Sequence, residues 1–159
     1  MDDQMFQSQT YGNLDLRGVR EKALEFINKF PDFPYQLIIG TDSQPKNGSG
    51  VDFVIAIVIH RIGMGGVYFW KRIVESKSLV LRDRIYTEAT LSLTCAQEVL
   101  KVFKKDPVCK TLEIHVDIGQ NGETREMISE IVGMIRGSGF RVKTKPESYG
   151  ASKVADRHT

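Results

Sequence analysis

The chain has 159 residues, 41% hydrophobic and 26% charged, enough for one domain with a substantial core. Its 22 Lys+Arg against 20 Asp+Glu leave a formal charge of +2, so bulk charge marks no polyanion-binding protein and local patches would have to do any steering. Cys95 and Cys109 lack metal-ligand spacing and read as reduced thiols, no run approaches a membrane span, and no basic-then-apolar leader is visible; the expectation is a soluble cytoplasmic protein with no membrane partner.

Residues 1–12 are polar and Gln-rich and are expected to be loosely ordered, leaving 13–159 as a single folded domain. An N-terminal helix follows: Leu16, Val19, Ala23, Phe26, Ile27 and Phe30 recur at helical spacing, Asn13 or Asp15 can cap the start, and Pro31 and Pro34 end it. Tyr35 to Thr41 reads as a first strand closed by Asp42, with a turn-rich loop to Gly50. Residues 52–60, DFVIAIVIH, are almost continuously apolar, the pattern of a strand buried on both faces. The link IGMGG turns the chain into a third, antiparallel strand, GVYFWKRIVE.

A long helix is predicted from about Arg82 to Lys105, with Ile85, Glu88, Ser92, Ala96, Val99 and Phe103 on one stripe. Residues 111–118 form a fourth strand, entered through a helix and therefore parallel to the first. A helix over 124–139 and a fifth strand over 140–145 follow, and the tail 149–159 has the look of one or two helical turns. The class is α/β: a mixed five-stranded sheet, three antiparallel strands then two parallel ones, with helices on both faces and an extra N-terminal helix.

Four acids stand out by placement. Asp42 and Asp117 end apolar strands, Glu88 lies on the apolar side of the long helix, and Asp156 is in the tail. An unpaired buried carboxylate is costly, so acids at such rims need a counter-charge. If strands one and four are neighbours, Asp42 and Asp117 leave the same edge of the sheet about 4.8 Å apart and repel unless one takes a proton or both share a cation. Mg²⁺ or Mn²⁺ suits this oxygen-only donor set, and two such ions would serve a displacement at phosphorus.

The order of elements and acids resembles the RNase H fold. The closest local match is TDSQPKNGSGVDFVIAI: an Asp at a strand end, a Gly/Asn-rich hairpin loop and an Ala-containing second strand. More narrowly, GTDSQ, HVDIGQNGETREM and ASKVADRHT together are similar to the YkuK-like family of bacterial proteins, described as predicted RNase H-related nucleases. The resemblance implies a hydrolase acting on nucleic acid with two Mg²⁺ or Mn²⁺ ions, Asp42 bridging the metals and Glu88, Asp117 and Asp156 as further ligands. It leaves open the choice among RNA, DNA and hybrid, and the oligomeric state. The alternative is a non-catalytic nucleic-acid or protein-binding module on the same fold.

Three further residues carry two readings each. His115, two residues before Asp117, is either a core histidine or a support for the acids; His158, near Asp156, is a surface residue or a proton relay. Ser43 makes a turn or contacts phosphate. Tyr68, Phe69 and Trp70 fit the core or base stacking, and Lys71, Arg72, Lys77, Lys143, Lys145 and Lys153 are surface charges or phosphate contacts.

Overall fold

A computed structural model of the chain describes residues 5–119, 122 and 124–145. In chain order the elements are β1 (Phe6–Ser8), β2 (Gly12–Leu14), α1 (Leu16–Lys29), β3 (Tyr35–Pro45), β4 (Val51–Arg61), β5 (Gly66–Glu75), α2 (Leu81–Phe103), β6 (Glu113–His115), α3 (Ile128–Gly137) and β7 (Arg141–Lys143). The strands form one mixed sheet in the order β2-β1-β5-β4-β3-β6-β7. β3, β4 and β5 are antiparallel neighbours, and β6 and β7 join beside β3 in parallel, so the five expected strands are present in the expected senses.

The sheet has seven strands rather than five, because the segment expected to be loose is a hairpin. β1 pairs with β2 and also with β5, where Gln7 faces Trp70. Phe6 is buried in the main core, Gly12 turns at a φ of +74°, and the Ser8 hydroxyl accepts from Thr10 N and Tyr11 N at 3.2 Å. One buried aromatic and a neighbouring strand order a stretch whose composition encodes neither.

Side chains alternate between the faces of the sheet. Leu37, Ile39, Ile55, Ile57, Ile59 and Phe69 point into the large core, which also takes Val19 and Ala23 of α1, the apolar stripe of α2, and Ile131 and Ile135 of α3. The three described helices therefore share one face. Helices on both faces were expected; among the described residues the second face carries a small cluster of Ile38, Val54 and Ala56 with Val58 and Trp70, and the tail expected to be helical lies outside the described residues.

Local chemistry sets the element ends. The Asp15 carboxylate caps α1 by accepting from Gly18 N at 2.8 Å, and the Phe30 N–H closes the helix on Ile27 O. All six stripe residues of α2 are buried, Glu88 among them. The fourth strand is shorter than expected: Pro107–Thr111 is a 3-10 turn and only Glu113–His115 pairs as a strand with β3. Backbone bonds from Val116 N to Lys143 O (3.0 Å) and from Lys145 N to Ile118 O (2.9 Å) carry the β7 side of that ladder further. The helix expected over 124–139 begins as a 3-10 turn, Arg125–Met127.

The first strand does not stop at Asp42. β3 continues to Pro45, paired along its whole length with β4, so that Asp42 faces Val54 inside the ladder. The turn is confined to residues 46–50 and closes with Lys46 N donating to Gly50 O at 3.0 Å. Gly50 has a φ of +112°, and a Cβ there would lie 2.7 Å from Glu75 O. Gly50→Ala is therefore expected to destabilise the fold by about 2 kcal/mol, a fall of roughly 4–8 °C in Tm. A thermal melt matching the parent's would contradict that clash.

Candidate active site

β3 has β6 as a second neighbour only as far as Gly40, which pairs with His115. Just beyond that pair, Asp42 continues β3 and Asp117 follows β6 by two residues, and Thr41 and Asp117 line one crevice. Both acids thus lie at the carboxyl end of the parallel pair, where open α/β sheets place their ligand sites. Asp42 is partly buried, and the Asp117 side chain is 35% exposed with its Oδ1 3.0 Å from Lys145 Nζ.

Glu88 reaches the same place from α2. Thr41 and Ser43, on the helix-facing side of β3, each meet a residue of α2: Thr41 Oγ1 lies 2.8 Å from Ser92 Oγ, and Ser43 Oγ donates to Glu88 Oε2 at 2.5 Å. Two residues of strand span about 6.6 Å and four residues of helix about 6 Å, so the two rungs match and lock the helix register against the strand. Arg84, one turn before Glu88, donates from Nε to Ser43 Oγ at 3.3 Å.

Burial of Glu88 at 7% exposure is the main cause that lifts its carboxyl from the ordinary 4.5 to about 8. The Ser43 hydroxyl and the Arg84 charge pull it down, and the negative charges of Asp42 and Asp117 push it up. Glu88 is thus within electrostatic reach of both aspartates. A narrow crevice between α2 and the β3–β6 junction is lined by Glu88, Asp117, Thr41 and Ser92, whereas the larger clefts run along α1 and α2 past Arg17, Arg20 and Lys101.

The donor set is all oxygen and over-supplied with negative charge, which fits a hard divalent cation in type. Among the described residues, however, no three His, Cys, Asp or Glu side chains are gathered closely enough to enclose an ion as they stand. Asp117 is turned to Lys145 and Glu88 to Ser43. Asp156, His158 and Lys153 lie outside the described residues.

His115 is buried, its Nε2 lies 3.2 Å from Glu113 Oε1, and burial pushes its pKa below the ordinary value against the pull of Glu113. Gln36 Nε2 donates to the same Glu113 oxygen at 2.7 Å, so the histidine belongs to a polar group on the sheet's second face. Phe69 is core, and Trp70 packs on that second face. The sequence reading missed Arg84 as a partner of the site. Its position four residues before Glu88, on the same helix face, was the available signal.

No helix among the described residues is long and apolar enough to cross a membrane. The family model described as "Ribonuclease H-like" matches residues 18–159. The protein named "Uncharacterized protein YkuK" of Bacillus subtilis (strain 168) is 31% identical over 170 residues, covering 99% of this chain and 98% of that protein. No solved structure gives a significant match.

Proposed function

The chain belongs to the ribonuclease H-like family, and from that premise we propose that it is a metal-dependent nuclease hydrolysing phosphodiester bonds of nucleic acid. The observation that carries the reading is Glu88. A carboxyl buried on α2, its acidity weakened further by the charges of Asp42 and Asp117, lies where two parallel strands end. Such a group of acids wants a cation more than it wants water.

In this reading Asp42, Glu88 and Asp117, with Asp156 from the tail, hold two Mg²⁺ or Mn²⁺ ions. Those ions would supply a water activated near neutral pH and charge stabilisation at phosphorus. Asp42 and Asp117 would provide the paired carboxylates, and the Ser43 hydroxyl fixes the Glu88 carboxyl. Arg84 holds Ser43 in turn and brings a fixed positive charge toward a substrate phosphate. Nucleic acid is the proposed partner, and the cytoplasm the proposed compartment.

Labelled RNA–DNA hybrid, structured RNA and branched DNA, each incubated with Mg²⁺ or with EDTA, test the reading. Cleavage of at least one substrate that stops on chelation is expected; no cleavage of any would overturn it. The competing reading, a binding module without catalysis, is favoured by Asp117 being held by Lys145 rather than aimed at a shared cation position. Calorimetry with Mn²⁺ separates the two, because two bound ions support the nuclease and none supports the module.

A further inference from the structure

The chain beyond β7 brings a cation to one of these acids. β6 and β7 pair Glu113 with Arg141, Ile114 with Val142 and His115 with Lys143. Beyond those pairs the register slips by two residues: Val116 N still donates to Lys143 O (3.0 Å), but Lys145 N donates to Ile118 O (2.9 Å), so the Lys145 backbone lies level with Gly119 and its side chain reaches back toward Asp117. The ammonium then lies 3.0 Å from Asp117 Oδ1. A side chain at position 119 would intrude here, since a Cβ on Gly119 would be 3.2 Å from Lys145 Cβ. Lys145 is thus delivered to Asp117 by the chain just beyond β7, which the Lys145 N to Ile118 O bond ties to the chain just beyond β6.

We propose that Lys145 is a built-in counter-ion of this site, neutralising Asp117 while no divalent cation is held and giving way when one binds. The inference rests on the metal-binding reading above and adds a regulation to it. While no cation is bound Glu88 keeps its proton, and the charge that Asp117 places beside it is offset by Lys145. With side chains 56% and 35% exposed, the pair is weak enough to be displaced. Because the ammonium occupies Asp117, it competes with a divalent ion for that carboxylate, so Lys145 lowers the site's affinity and raises the free-cation concentration at which it fills.

Titration calorimetry of the full chain with MnCl₂ tests this, comparing the parent with Lys145→Gln, Lys145→Ala and Lys145→Arg, and repeating Lys145→Gln in an Asp117→Asn background. Both neutral variants are expected to bind Mn²⁺ about two- to fivefold more tightly. Lys145→Arg is expected to match the parent, and the gain should vanish when Asp117 is already Asn. Metal-free melts of all Lys145 variants should stay within about 3 °C of the parent, as befits an exposed pair. Equal or weaker Mn²⁺ binding by both neutral variants, or a gain that survives Asp117→Asn, overturns the counter-ion role and leaves the metal site standing. No Mn²⁺ uptake by any variant overturns both.

Discussion

Replacing Glu88 by Gln is expected to make the metal-free protein more stable at pH 8 while abolishing the proposed nuclease activity. The Glu88 carboxyl has a pKa of about 8 in the folded chain against an ordinary 4.5. The folded state therefore keeps a proton that the unfolded state releases. Stability is full below pH 4.5 and drains away as pH rises toward 8, by about 1.4 kcal/mol per pH unit at the steepest. The accumulated loss is about 3 kcal/mol at pH 7 and somewhat more above pH 8. Gln has no such proton to hold, and its carbonyl can still accept from Ser43 Oγ. Urea melts in EDTA at pH 5 and pH 8 should then show the two proteins close together at the lower pH and Glu88→Gln ahead by roughly 3–5 kcal/mol at the higher. Parallel pH profiles would mean that Glu88 is not held neutral by its surroundings.

Asp42→Asn is expected to cost on the order of 10³-fold in Mg²⁺-dependent cleavage. The substitution keeps the shape and removes one unit of charge. At an effective dielectric of about 20, a unit charge 4 Å from another is worth about 4 kcal/mol, and each 1.4 kcal/mol is a factor of ten in rate. The same change should leave the metal-free fold intact or slightly firmer, because one of the charges pressing on Glu88 is gone. Cleavage assays paired with thermal melts check both halves. Undiminished cleavage would remove Asp42 from the mechanism, and a collapse in Tm would show that its role is structural.

The readable parts of the sequence were those where one local rule dominates. The unbroken apolar run of β4, the helical stripe from Ile85 to Phe103 and the glycines of the β4–β5 link each correspond to an observed element. The parallel relation of β3 and β6 followed from the helix between them. Extension of β3 through Ser43, Gln44 and Pro45 was not readable, because those residues spell a turn and only the pairing with β4 keeps them extended. The hairpin at residues 6–14 was hidden for the same reason: its order comes from β5 and from the core around Phe6. At the site, the type and rough position of Asp42, Glu88 and Asp117 were legible from their place at the ends of apolar elements. Their immediate partners were not, since Ser43–Glu88 and Lys145–Asp117 are contacts between segments distant in sequence.

That short N-terminal hairpin has a consequence for how copies of this chain behave toward each other. β5 is ten residues long, and without β1 its outer side would offer unpaired amide and carbonyl groups as a template for any other extended chain. β1 answers it with three residues, anchored at Gln7 opposite Trp70, and β2 then presents only Gly12 to Leu14 outward. A stub of that length recruits another strand poorly. Removal of residues 1–14 should therefore bare the whole outer side of β5 and let the sheet grow by strand addition, visible as increased concentration-dependent association in sedimentation or light scattering.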